Sequence, residues 1–351
     1  MRHSRITGIV LVVIVLVLLL GLKTYYDAGE FKQIESRCDC TCVGIPGISG
    51  PEDIDLDYEN GIAYISSDDR ASALKGKPIP GAIYSYDIKY YRMRKLMCEL
   101  HFDFHPHGID LFRDKSGNTL LFVVNHRRQG HYIEIFEVKR DRLVHRESIK
   151  DEKLLTSPND ITVVNERMFY VTNDHGYKSS FGKMIEDYLQ LDLSYVLFFD
   201  GKKFRKVAEN LKYANGISMG GDGELLYVAS PVGKLVRVYN RNMKTNDLAF
   251  RNDIHLNSGV DNLHVDNEGK IWAACHPKLL TFVRHSKDPS LLSPSQVKVI
   301  SFKGLDDYSI HEVFMDSGKL ISGSTVAVPF GNTFLVGSVF DDHVLRCEIK
   351  K

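Results

Sequence analysis

A polar residue, a short apolar run, a turn of Gly, Asp or Asn, and a second apolar run ending in small or polar side chains recur along this chain. The pattern is written in "EDIDLDYENGIAYISSDD" from Glu52, "HGIDLFRDKSGNTLLFVVNH" from His107 and "NDITVVNERMFYVTND" from Asn159. It returns in "NGISMGGDGELLYVAS" from Asn215, "DNLHVDNEGKIWAACH" from Asp261 and "HEVFMDSGKLISGS" from His311. The starts lie 46 to 56 residues apart. Each segment has hairpin chemistry, and a further apolar or aromatic run usually follows, as in "GAIYSYDI", "YIEIFEV", "YVLFFD" and "KLVRVYN". Six modules of three or four strands predict an all-β chain, a six-bladed β-propeller. An irregular sandwich would not keep so even a spacing. No Gly/Pro/Ser-rich linker divides the modules, so residues 43–351 are expected to form one domain. Lys+Arg and Asp+Glu balance at 45 each. With no basic helix and no aromatic-interleaved basic patch, no nucleic-acid partner is expected.

The N-terminus is expected to add a hydrophobic helix. "MRHSR" precedes Ile6 to Leu22, where only Thr7, Gly8 and Gly21 interrupt a Val/Leu/Ile run. That length is at the lower limit for a bilayer span and exceeds an ordinary signal-peptide core. No small-x-small cleavage site follows in "LLLGLKTYYDAGE". Arg2 and Arg5 outweigh Lys23, which keeps the N-terminus cytoplasmic and exports the rest. Residues 1–27 are therefore expected to be a cytoplasmic tip and signal anchor, and 28–42 a juxtamembrane segment. The propeller would lie in the ER lumen or at the cell surface; cleavage of the segment would instead make it secreted. Cys38, Cys40, Cys42, Cys98, Cys275 and Cys347 fit an exported domain. The spacing of "CDCTC" is not that of a zinc knuckle, so a disulfide to a distant cysteine is expected.

In a propeller the innermost strand of each blade lines the central channel, and the starts of these strands converge on the axis. Glu52, His107, Asn159, Asn215 and the pair Asp261–Asn262 hold those positions. Asn and Asp are routine turn and cap residues, but four blades offer carboxylate or amide oxygen at the same repeat position. Such oxygens suit a hard cation such as calcium, whereas zinc would want nitrogen or sulfur. A divalent ion would also offset the repulsion between the adjacent Glu52 and Asp53.

With "EDID", "PHGID", "VVNH", "NDI…YVTNDH", "YANGIS", "VDN", "ACHP" and the tail "STVA…FLVGSVF…CEI" in order, the chain resembles the serum paraoxonase/arylesterase family from about Cys42 to Cys347. The resemblance implies a six-bladed propeller with two calcium ions in its channel. The catalytic ion's ligands match Glu52, Asn159, Asn215, Asp261 and Asn262. Those of the deeper, structural ion match Asp53, Asp160 and the backbone carbonyl of Ile109. A histidine dyad matches His107 and His126: His107 would deprotonate water, and His126 would orient His107 or accept the proton. The family closes its ring with a disulfide, which places Cys347 against Cys42, with Cys40 as the second choice. His175 and Asp174 also follow the family pattern and are expected to play a strand-end or supporting role. A Cys–His hydrolase built on Cys275 and His276 lacks an orienting third group.

Two segments depart from the family. "DDRASALKGKPIPGA" lacks the aromatic that family enzymes place over the active site, and "HGYKSSFGKMIEDYLQLDLSY" keeps the length of an amphipathic helix but differs in its early residues. The resemblance implies a membrane-anchored, calcium-dependent hydrolase of lactones and aryl esters. Its alternative is a non-catalytic, chaperone-like assembly factor with a membrane-protein partner.

Overall fold

The strand Thr119–Arg127 is buried along its middle on both faces, and the other second strands share the pattern, among them Ile62–Ser67, Met168–Asn173 and Leu225–Ser230. Continuous apolar runs such as "LFVV" and "FYV" fit this placement, because a strand sandwiched between two sheets has no wet face. The computed structural model describes residues 2–304 and 307–350, with side chains described from Ile6 onward. Arg2 and Arg5, on which the expected orientation rests, lie outside the described side chains, and Lys351 lies outside the described residues.

Six four-stranded antiparallel sheets make a six-bladed β-propeller. Six apolar clusters sit between adjacent blades, one for each of the six interfaces, and close the ring. Phe122, Phe169 and Tyr195 join blades two and three, for example, while Ile54, Val326 and Leu335 join blades one and six. Outermost strands such as Arg92–Lys95 face water and read as charged.

The sixth blade is made from both ends of the chain. Ser324–Phe330, Thr333–Ser338 and His343–Ile349 supply three strands, and Cys40–Pro46 adds the outer one, in a register that sets Cys42 opposite Cys347. Those two cysteines are disulfide-bonded, their Cα atoms 4.0 Å apart across 305 residues of sequence. Cys38 and Cys40 form a second disulfide. The expected sixth repeat at His311 is misplaced: His311 belongs to Tyr308–Asp316, the outer strand of blade five. The sixth inner strand begins at Ser324, where "STVAV" carries no acid or amide to announce it.

Four helices complete the described residues. α1 (Arg2–Asp27) contains a stretch, Ile6–Asp27, long and apolar enough to cross a membrane, with its side chains exposed. α2 (Arg70–Leu74), α3 (Ser180–Leu189) and α4 (Leu279–Lys287) sit in the connections between second and third strands of blades one, three and five. In an antiparallel blade these connections lie at the end where the inner strand starts, so all three helices roof one mouth of the channel. α3 occupies the segment expected to be helical, capped by the Ser179 hydroxyl accepting from the Gly182 amide at 3.1 Å. The chain leaving α1 docks on this roof. The buried Glu30 accepts from the Thr281 amide and hydroxyl at 2.9 and 2.7 Å, and Gln190 donates to Asp27 at 3.2 Å.

Replacing Cys42 and Cys347 together by serine is expected to lower stability by at most about 5–6 kcal/mol, the chain-entropy value for so long a loop. Urea unfolding under oxidising conditions measures this, and an unchanged midpoint would contradict a stabilising closure.

Candidate functional site

Register shifts interrupt the inner strands between Pro51 and Ile54, Pro106 and Ile109, Pro158 and Ile161, Val260 and Leu263, and Ser324 and Ala327. A bulge of this kind re-aims side chains, so two consecutive residues can both serve the channel. This resolves the adjacency of Glu52 and Asp53. Consecutive residues stand at these strand starts: Glu52–Asp53, His107–Gly108, Asn159–Asp160, Asn215–Gly216, Asp261–Asn262 and Thr325–Val326. The glycines are steric necessities. A Cβ on Gly108 would lie 2.5 Å from Asp160 Cα and Oδ1, and one on Gly216 would lie 2.6 Å from Asn262 Cα.

Two acids at these starts tie blades together. Asp53 accepts from the Ile109 amide and Asp160 from the Ile217 amide, each at 2.7 Å, so each acid links its blade to the next. Both carboxyls are pushed well above their ordinary range, by burial first and by neighbouring carboxylates second. Glu52, Asn159, Asn215, Asp261 and Asn262 are all buried. Asn262 donates to Glu52 Oε1 at 3.2 Å, His107 Nε2 lies 3.2 Å from the same oxygen, and Asp261 Oδ2 pairs with His276 Nε2 at 2.7 Å. Glu52 Oε2, Asn159 Oδ1, Asn215 Oδ1 and Asn262 Oδ1 have no hydrogen-bond partner among the described residues. An unpaired buried oxygen costs about 1–3 kcal/mol, yet four from four blades meet around one axis. Their number, charge and chemistry fit a hard divalent cation.

His107 Nδ1 and His126 Nε2 are 2.8 Å apart, with ring centroids at 5.0 Å. The sequence-expected dyad is therefore brought together beside Glu52. Asp174 lies 3.4 Å from Asn159 Nδ2 and 2.7 Å from His175 Nδ1, and His175 Nε2 reaches Asp187 of α3 at 3.2 Å. Burial alone would lower the His175 pKa, but the two carboxylates overcome it and raise it to about 9. Cys275 is buried with its thiol pushed up to about 12 by burial, and His276 pairs with Asp261 instead, so no cysteine nucleophile is assembled.

Above these groups opens a cavity of about 530 Å³. Leu279, Phe282 and Val283 of α4, Met184 of α3 and Val339 give it apolar walls, and Arg70 of α2, Lys183, Tyr213 and the end of α1 at Thr24 to Ala28 also border it. None of these residues was singled out from the sequence. Arg70 stands in the segment lacking the expected aromatic, and its Nη1 has no partner among the described residues.

A family model described as Arylesterase matches residues 33–349. The chain is 34% identical to human serum paraoxonase/arylesterase 2 over 345 residues, covering 94% of each chain. It is 33% identical to the chicken protein of the same name (94% of this chain and 98% of that one) and to rabbit serum paraoxonase/lactonase 3 (89% and 90%). Solved structures with a similar fold include a luciferin-regenerating enzyme, at a TM-score of 0.57 and 13% identity over 88% of this chain and 95% of that one. Another is the calcium-binding protein regucalcin from Agrobacterium tumefaciens, at 0.53 and 13% over 90% and 94%. The distant structures share the propeller. The nearer relatives define the family, and this chain belongs to the serum paraoxonase/arylesterase family.

His175 provides a pH test. Its folded pKa is raised above the unfolded value near 6.5, so its stabilisation is fully present below that value and lost as pH rises through about 9. Wild type should lose more stability between pH 6.5 and 9 than His175→Gln, measured by urea unfolding; parallel losses would refute the charged pair.

Proposed function

We propose that this chain is a membrane-anchored, calcium-dependent hydrolase of lactones and aryl esters. The observation that carries the reading is the convergence, beside His107 and beneath an apolar cavity, of four buried oxygens that have no partner among the described residues. On this reading Glu52, Asn159, Asn215, Asp261 and Asn262 hold the catalytic calcium, and Asp53, Asp160 and the Ile109 carbonyl hold the deeper one. Calcium, when bound, polarises a carbonyl and favours a developing oxyanion.

The chain's own groups do the rest. His107 Nε2 takes the proton of the attacking water, and His126, 2.8 Å from His107 Nδ1, fixes the ring and its tautomer. His276 orients Asp261, leaving that carboxylate's other oxygen for the metal. Leu279, Phe282 and Val283 hold the apolar part of a lactone or ester and exclude water around it. Relatives named arylesterase, paraoxonase and lactonase supply the substrate classes extended to this chain. A non-catalytic assembly role would need neither the paired histidines nor an apolar cavity above them.

His107→Gln should keep its fold and lose about 10²–10⁴-fold in kcat toward aliphatic lactones. Glu52→Ala should abolish turnover, and a calcium chelator should abolish it in wild type. Full lactonase activity in His107→Gln would remove the base, and indifference to chelation would remove the metal.

The anchor is proposed to keep the N-terminus cytoplasmic with the propeller outside the cytoplasm, because Arg2 and Arg5 precede the span. Protease added to intact microsomes should leave the propeller uncut until the membrane is permeabilised. Digestion without permeabilisation would reverse the topology.

A further inference from the structure

The hairpin that carries His126 carries a second imidazole that the dyad does not use. The strands Thr119–Arg127 and Gly130–Lys139 pair with His126 directly opposite His131. Directly opposed side chains share a face of the hairpin. Their Nδ1 atoms are 2.8 Å apart, and the rings meet edge to face with centroids at 4.8 Å. Three imidazoles thus form one hydrogen-bonded chain, from His107 Nδ1 to His126 Nε2 and from His126 Nδ1 to His131 Nδ1. The two ends open on different spaces. His107 lines the apolar cavity, whereas His131 lines a separate polar cleft of about 400 Å³ on the flank of blades two and three. His126 lies between them and borders neither.

We infer that His131 is the outer terminus of a proton path joining His107 to solvent in the flank cleft. The inference rests on the reading of His107 as the general base. Its physical motive is that a substrate seated among Leu279, Phe282 and Val283 displaces water from the mouth of the cavity, so the proton needs another exit.

The steps balance without any redox partner. As the water oxygen bonds to the carbonyl carbon, its proton passes to His107 Nε2 and the His107 Nδ1 proton moves to His126 Nε2. The His126 Nδ1 proton moves to His131 Nδ1, and the His131 Nε2 proton leaves to cleft water. When the ester C–O bond breaks, the departing alkoxide takes the proton from His107 Nε2 and the chain runs inward, drawing a proton from cleft water at His131. Every ring then regains its starting tautomer, and the product acid ionises to release one net proton.

Neutral rings suit this traffic, since each must accept at one nitrogen and donate at the other. Burial and neighbouring positive charge hold both His126 and His131 below the usual histidine range. Lys183, Lys178 and Asp174 face His131, and Lys150, Asp151 and Glu152 line the cleft around it.

The test is steady-state lactone hydrolysis by the calcium-loaded full chain in a weak and then a concentrated imidazole buffer. His131→Ala should lower kcat about 10-fold in weak buffer, less than loss of the base itself, with KM unchanged. Added imidazole should restore the rate, because a mobile base in the cleft replaces the missing ring. His131→Asn can still bond to His126 but cannot relay, so it should behave like His131→Ala. Full activity in His131→Asn, or a His131→Ala defect indifferent to imidazole, would reduce His131 to a structural role and overturn the path while leaving the base in place. If His107→Gln is itself fully active, the base reading falls first, and that outcome is read independently.

Discussion

The structure depends on the burial of like charges at the axis of a ring. Asp53 and Asp160 approach each other where water does not reach, with Glu52 above them. Buried carboxylates persist only when donors or a cation offset the lost solvation. Backbone amides of the next blade supply part of that offset, through Ile109 for Asp53 and Ile217 for Asp160. The same bonds fix the rotation of each blade against its neighbour. Asp55 and Asp110 repeat the device lower in the channel, accepting from the Leu111 and Val163 amides. The cost of placing acids on the axis and the alignment of the blades are thus one problem with one solution.

That alignment makes the strand starts a site. No single blade contains it: the oxygens come from blades one, three, four and five and the histidines from blade two, held in place by six apolar interfaces. Precision at the axis therefore depends on closure at the rim, where Cys40–Pro46 completes blade six and is bonded to Cys347. The chain entering that strand has just left α1 and docked Glu30 on α4. The apolar helix, its contact with the roof and the ring-closing strand are thus consecutive in sequence.

Much of this was legible because propeller repeats place axial residues at a constant position. Glu52, His107, Asn159, Asn215 and Asp261 stood out as polar residues opening apolar strands. The bulge that turns Asp53 and Asn262 inward has no sequence signature, and adjacency of acids was the only trace of it. The sixth blade escaped because Thr325 and Val326 offer no charge and because α4 and long turns stretch the last interval to 64 residues between Asp261 and Thr325. Arg70 and Lys183 lie in the two segments that the family resemblance places over the pocket, but neither they nor the wall of α4 were singled out as residues. They stand in connections between strands, and local periodicity carries no information about which loops meet above a channel. His131 lay between these cases, since the two-residue hairpin connection Arg128–Gln129 after "VVNH" sets it opposite His126.

Calorimetric titration of metal-stripped protein with calcium tests the central claim most directly. The account predicts two ions per chain, reduced to one in Glu52→Ala, with the remaining ion raising the unfolding temperature. Absence of calcium binding, or two ions retained in Glu52→Ala, would contradict it.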